Sequence, residues 1–228
     1  NYITAKSFQP LKQIRSELIR KFTNKNKKII TIFGYNTSNN QIRSMHEPLT
    51  SFKVQDIFLN DCIALSRKFN DYKFILRFKS LEWLKNNYFK KTLGKLKKSI
   101  NIEISRNYNF NESYKLCANS QLIICRWTSL IDEALAAGKK VLIYDYAGNS
   151  SPITQEYFNY NNKIICKNFI ELQEKIDLLT NRKKSFNDFI PKNKLIKYYG
   201  KLSNNKDYTK ISIRNKIEKY LLKKDSNK

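Results

Sequence analysis

The sequence predicts a Rossmann-like three-layer αβα domain, with a mainly parallel six-stranded sheet and flanking terminal helices. Three observations carry that expectation. Six short apolar runs recur along the chain, each of a length suited to a buried strand. Segments with helical spacing separate most of them, which is the pattern of a parallel sheet covered on both faces. And 228 residues, 41% hydrophobic and 13% aromatic, suffice for one α/β domain with a real core plus appended helices.

Taken in order, residues 8–22 put Leu11, Ile14, Leu18, Ile19 and Phe22 on one helical face, with Pro10 near the start. Lys28–Tyr35 reads KIITIFGY, a short apolar run ending at Gly34, and predicts the first strand. Residues 36–51 are polar, hold the only His and Met (His46, Met45), and predict a loop. Helical spacing returns over 52–69 through Val54, Ile57, Phe58, Cys62 and Leu65. Strands are then expected at 73–78, 100–105, 121–125, 140–145 and 163–166. The helices expected among them are 80–93, 112–118, 128–137 and 168–180. The tail closes on an amphipathic helix through Ile211, Ile213, Ile217, Tyr220 and Leu221. The division expected is a helix and linker over 1–27, a Rossmann-like domain over 28–180 and a basic helical extension over 181–228.

The formal charge of +25 is unevenly placed. Residues 101–150 are neutral, while 51–100 carry +8 and 181–228 carry +11. A nucleic-acid binder concentrates its basic residues around the recognition element, whereas here the most patterned region is neutral. The excess suits either a solvated Lys-rich surface or a functional one facing anionic lipid or a phosphorylated substrate. Cys62, Cys117, Cys125 and Cys166 form no C-x-x-C, and most lie in apolar surroundings, which predicts buried thiols in a cytoplasmic protein. No apolar run reaches the ~20 residues of a membrane-spanning helix.

Several chemistries lack their residues. Gly34 stands alone, so there is no G-x-G-x-x-G, and no G-x-x-x-x-G-K-[ST] occurs. One His and scattered Cys cannot build a usual zinc site, and there is no D-x-D pair for a nucleotide-bound cation. No metal and no resident cofactor are expected. A Ser-His-Asp hydrolase lacks its G-x-S-x-G.

In an open parallel sheet, ligands bind beyond the carboxyl ends of the strands. That rule selects Gly34, Tyr35 and Asn36, then Arg77 to Lys79, Arg106, Arg126 to Ser129, and Asp145. Thr128 or Ser129 caps the helix that follows, whose first amides and positive dipole end suit an anion. Glu133 lies one turn beyond Ser129, on the same face. Amides for a phosphate and a carboxylate for hydroxyls together suit a phosphorylated sugar. The same pattern also describes an ordinary capped helix with an acid in its first turn.

The stretch IICRWTSLIDEALAAGKKVLIYDY, residues 123–146, resembles the second half of GT-B glycosyltransferases. In that family a strand ends in Ser/Thr, a small-residue helix with Glu follows, and then G-K-x-V. The likeness is greatest to bacterial capsule and lipopolysaccharide enzymes, and the run IITIFGYN, the strand FILRFK and the C-terminal YYGKL extend it over about residues 28–222. The resemblance implies a donor-nucleotide-binding domain of a metal-independent glycosyltransferase. Its sugar would pass from a nucleotide-sugar substrate to a glycan or lipid-linked acceptor. It implies Thr128 and Ser129 at the donor phosphates, Glu133 on a ribose or sugar hydroxyl, and Gly34, Tyr35 and Asn36 lining the crevice. Arg77, Lys79 or Arg126 would stabilise the departing diphosphate. Arg126 and Trp127 stand where the family usually carries small polar residues. An acceptor domain with the catalytic base is expected before residue 1. The location implied is cytoplasmic, with peripheral contact at an anionic inner membrane face. Two other readings stay open: a nucleotide-sugar epimerase or polyol-phosphate transferase of related fold, and a basic nucleic-acid-binding module using Lys85–Lys98 with Tyr88 and Phe89.

Overall fold

The computed structural model describes residues 19, 28–35, 51–107, 109, 111–126, 128, 130–146, 162–181 and 185–189. The loop at 36–50, the C-terminal helix at 211–221 and, apart from Ile19, the helix at 8–22 lie outside them.

Six strands form one sheet: β1 (Ile29–Phe33), β2 (Lys73–Arg77), β3 (Ile102–Ile104), β4 (Leu122–Cys125), β5 (Val141–Tyr144) and β6 (Ile165–Cys166). Their order is β3-β2-β1-β4-β5-β6, and every neighbouring pair is parallel. Each coincides with one of the six apolar runs. The central strands are largely apolar because both faces are covered: Ile30, Ile32, Phe74, Leu76, Ile123 and Leu142 are all buried, while Glu103 of the edge strand β3 is exposed. Fully burying side chains of this size contributes about 1.5–3 kcal/mol each. The order reverses beside β1, so the carboxyl ends of β1 and β4 border the crevice of a doubly wound sheet.

Among the described residues five α-helices accompany the strands: α1 (Phe52–Lys68), α2 (Lys90–Lys97), α3 (Glu112–Asn119), α4 (Leu130–Ala136) and α5 (Phe169–Thr180). Ser51 starts α1, its hydroxyl accepting from the Val54 N–H at 3.2 Å. Asn168 starts α5, its side chain accepting from the Glu171 N–H at 2.9 Å. The Glu171 carboxylate reaches back to the Lys167 N–H at 3.0 Å, closing a capping box. Gly138 ends α4 at φ 79°, a left-handed conformation. The amides of Gly138 and Lys139 donate to Leu135 and Ala134 at 2.9 Å, the paired bonds of a Schellman motif that returns the chain into β5.

The helix expected over 80–93 is a correction. The chain there makes two 3-10 turns, Glu82–Lys85 and Asn87–Phe89, and the α-helix begins only at Lys90. Asn86 divides the turns, its side chain accepting from the Tyr88 N–H at 2.9 Å. The cause is aromatic burial. Trp83 packs edge-on to Phe78 at 4.8 Å and to Phe89 at 5.3 Å, and Phe89 meets Phe52 at 5.5 Å. That arrangement turns Trp83 and Phe89 inward together, which a single straight helix would not do at a spacing of six residues. The four cysteines are buried free thiols, in keeping with their apolar sequence surroundings. Among the described residues no helix is long and apolar enough to cross a membrane.

Candidate functional site

Register brings the selected residues to one edge. Phe33 pairs with Arg77 on one side and Cys125 on the other, so Gly34, Phe78 and Arg126 follow at the same level. Cys125 pairs in turn with Ile143, which sets Asp145 and Tyr146 just beyond Arg126. Gly34 is held by its N–H donating to the Arg77 carbonyl at 2.9 Å. Its lack of a side chain has a specific reason: a Cβ there would stand 2.1 Å from a ring carbon of Phe78.

The centre of the edge is a buried polar group on an aromatic bed. The Arg126 guanidinium, 3% exposed, donates to Asp145 Oδ1 at 2.8 Å, and Asp145 is 4% exposed. The same guanidinium lies over the Tyr146 ring, 4.8 Å from its centroid. Tyr146 packs at a tilt on Phe58 of α1 at 4.5 Å and against Tyr144 at 5.6 Å. Burial pushes the Asp145 carboxyl above its usual range despite the pull of Arg126. The Tyr146 hydroxyl is pushed up to about 12, again chiefly by burial. It approaches Arg126 and the Tyr35 backbone, but neither approach has the geometry of a normal hydrogen bond. Arg126 is therefore one half of an internal ion pair, not a cation projecting into solvent.

Arg77 is likewise engaged. Buried at the end of β2, it donates through Nη1 to the Asn107 carbonyl at 2.6 Å and through Nε to Ser113 Oγ at 3.4 Å. It ties β2 to the segment entering α3. Lys79 is exposed two residues on, and Arg106 is exposed after β3. Thr128 caps α4 as expected: its hydroxyl accepts from the Leu130 N–H at 3.3 Å and its carbonyl from the Ile131 N–H at 3.1 Å. The Leu130 amide thus already has a partner. Glu133 is 2% exposed within α4, near enough to Cys117 of α3 to help raise that thiol, although burial is the larger cause. Asn36, Trp127 and Ser129 lie outside the described residues.

Beside this cluster is a pair that periodicity did not suggest. The Tyr144 hydroxyl donates to Asp61 Oδ2 of α1 at 2.6 Å, joining β5 to the helix. Burial raises the Asp61 carboxyl, and the bond from Tyr144 opposes that shift. Burial and the Asp61 bond both raise the Tyr144 hydroxyl. Only Asp61 facing inward from an amphipathic helix could have signalled the pair. Tyr144→Phe is expected to destabilise by about 1.5–3 kcal/mol at neutral pH, the range for a hydrogen bond to a charged group. Without its donor, the folded Asp61 carboxyl rises further above its ordinary range. A raised carboxyl contributes stability below its unfolded pKa, and that contribution is lost as pH rises through the folded value. The gap from wild type should therefore narrow on acidification through this window. Urea titrations at stepped pH measure it, and a pH-independent gap would show that Asp61 is not the partner that matters.

Among the described residues no group of three or more His, Cys, Asp or Glu is placed to hold a metal ion. The edge offers instead a buried cation–carboxylate pair, aromatic surfaces and a capped helix start around the point where strand order reverses.

No family model matches the chain, and no curated protein matches it. Solved structures do. The C-terminal domain of a group 1 family glycosyl transferase from Francisella tularensis superposes with a TM-score of 0.52 at 14% identity, over 81% of this chain and 97% of that one. A UDP-GlcNAc 2-epimerase from Neisseria meningitidis, solved with UDP-GlcNAc bound, gives 0.55 at 15% identity, over 90% of this chain and 48% of that one. The wall teichoic acid polymerase TagF gives 0.50 at 16% identity, over 95% and 50%. The chain spans about half the length of the epimerase and the polymerase. At these identities the likeness is one of fold: the chain has the Rossmann-like architecture of a GT-B C-terminal domain.

Proposed function

We propose that this chain is the donor-binding domain of a glycosyltransferase, moving a sugar from a nucleotide-sugar to a surface-polysaccharide or lipid-linked acceptor without a metal ion. The observation that carries the reading is the meeting of Gly34, Tyr35, Arg126 and the start of α4 at the strand-order reversal, where doubly wound sheets take nucleotides. The superposition on a glycosyl transferase C-terminal domain over nearly its whole length supports it. So does the neighbouring epimerase, whose structure contains a nucleotide-sugar.

In this reading the nucleotide-sugar is substrate, and no resident cofactor takes part. Thr128 and Ser129 hold the donor phosphates at the head of α4, and Glu133 accepts from a ribose or sugar hydroxyl. Gly34, Tyr35 and Asn36 line the crevice, and Lys79, the exposed cation at the end of β2, meets the departing diphosphate. Arg126 and Arg77 act at one remove: their partners, Asp145, Asn107 and Ser113, orient the loops bordering the crevice. The division at residues 27 and 180, a preceding acceptor domain, a cytoplasmic location and peripheral contact with an anionic membrane belong to the same proposal. Epimerisation is the second reading, favoured by the epimerase superposition.

Titration of nucleoside diphosphates and UDP-GlcNAc against wild type and Glu133→Gln tests the site. The substitution keeps size and removes charge, so a hydroxyl bond becomes a weaker neutral one, lowering affinity about ten-fold. Thermal stability must be matched, since Glu133 is buried. Equal affinity for every nucleotide that binds would reduce Glu133 to a structural acid. Product analysis with the full-length protein separates the readings: a transferred sugar supports the first, and an epimerised nucleotide-sugar the second.

A further inference from the structure

The outward arc of α2 is entirely cationic. Lys90, Lys91, Lys95, Lys97 and Lys98 are exposed around Gly94, and no acidic residue lies between Glu82 and Glu103. The nearest acid on the neighbouring helix, Asp56 of α1, is turned into hydrogen bonds with Thr92 and Asn60. Three features of this helix work against its own stability. Lys90 and Lys91 sit in the first turn, at the positive end of the helix dipole. Phe89 occupies the N-cap without a side-chain bond. Gly94 stands in mid-helix although a Cβ there would meet nothing within 4 Å. Phe89 is placed there by its ring contacts with Phe52, Trp83 and Tyr88, and Lys95 donates to Asn60 Oδ1 at 3.2 Å. Among the described residues Lys90, Lys91, Lys97 and Lys98 have no acidic partner, and the Gly94 backbone on the same helix carries no side chain. Exposed apolar side chains stand at both ends of the helix, the half-exposed Tyr88 before it and the fully exposed Ile100 after it. A groove of about 320 Å³, floored by Leu93, Leu96 and Ile102 and bordered by Lys97, Glu103 and Arg106, opens beside the helix.

We infer that this face of α2 docks on an anionic lipid bilayer, its lysines against headgroup phosphates and Tyr88 and Ile100 in the interfacial layer. The inference rests on the membrane-contact part of the proposed function and is independent of the nucleotide part. Charge complementarity names an anionic partner, and three details favour lipid over nucleic acid. Phe89, one of the two aromatics a stacking platform here would need, is fully buried. Tyr88 has its ring packed against Phe52 at 5.5 Å and Phe89 at 5.2 Å, which restricts its faces. The arc holds only Lys, a mobile point charge suited to diffuse headgroups, and none of the Arg that reads phosphate bidentately.

The test is sedimentation of the intact chain with phosphatidylcholine vesicles containing about 30% phosphatidylglycerol, against pure phosphatidylcholine, since the attraction needs anionic lipid. Wild type should bind the anionic vesicles alone and release as salt rises through roughly 0.1–0.3 M. A Lys90→Gln, Lys91→Gln, Lys98→Gln variant should lose on the order of 100-fold in partitioning, at about five-fold per lysine near the surface. Its folding should hold, since two of the three charges oppose the helix dipole. A control changing Lys28, Lys163 and Lys167 to Gln removes the same charge elsewhere and should lose less than about three-fold. Tyr88→Ala should weaken the binding that survives at higher salt. If wild type fails to bind anionic vesicles, membrane contact and this face both fall. If it binds and the two triple variants lose equally, membrane contact stands and the face is wrong. Complete displacement from the vesicles by a single-stranded oligonucleotide at equimolar phosphate would overturn the choice of lipid.

Discussion

Arg126→Met is expected to lower stability by about 3–5 kcal/mol at neutral pH, the cost of leaving one member of a buried ion pair alone. The magnitude follows from the surroundings. Arg126 and Asp145 are both almost fully buried at 2.8 Å, on a bed of Tyr146 and Phe58. Methionine fills much of the arginine stem's volume, so the loss is mainly that of the charge. The stranded Asp145 carboxyl, already raised by burial, should rise further. The deficit should accordingly be full well above that raised pKa and shrink as pH falls through it, because protonation removes the buried charge. Urea titrations at pH 7.5 and at pH 5 read both the size and the trend. The double change Arg126→Met with Asp145→Leu should recover most of the loss, since no unpaired charge remains. A deficit under 1 kcal/mol that ignores pH would show the pair to be incidental to the fold.

Gly34→Ala is expected to cost about 3 kcal/mol, at the upper end of ordinary overpacking. The new methyl would meet three carbons of the Phe78 ring at 2.1–2.7 Å. That ring cannot swing aside freely, with Trp83 edge-on at 4.8 Å and Phe58 at 6.3 Å. Phe78→Leu should relieve the clash, so the double variant should be more stable than the two single losses predict, with a coupling of about 1–3 kcal/mol. Nucleotide affinity measured on the same variants separates two roles for the glycine. Retained stability with lost affinity would mean that Gly34 is kept bare for a ligand and not for the ring.

The six strands were legible as apolar runs because a parallel sheet covered on both faces makes burial a property of consecutive residues. The start of α4 was legible for the same local reason: Thr128 sits two residues before the Leu130 amide that it caps, and Gly138 two residues after the helix ends. That the residues following β1, β2 and β4 share one edge of the sheet was legible too, since it follows from strand direction alone. The roles of its cations were not. Arg126 and Arg77 read in sequence as groups free to meet a phosphate. Their engagement with Asp145, nineteen positions away, and with Asn107, thirty positions away, depends on which strands become neighbours.

The break at residues 80–93 has the same origin. Helical spacing there is real, but Trp83 and Phe89 gain more by packing on Phe78 and Phe52 than one continuous helix would return. Composition and periodicity were thus enough for the fold class, the six strands and the shared edge of the residues that follow them, because each of these is set by near neighbours in the chain. Pairing across the sheet assigned the partners of Arg77 and Arg126 and the need for a bare Gly34 beneath Phe78, and the packing of α1 on the sheet assigned the Tyr144–Asp61 bond. Those contacts join residues distant in sequence, and the energy of burying them appears only when the strands have been brought side by side.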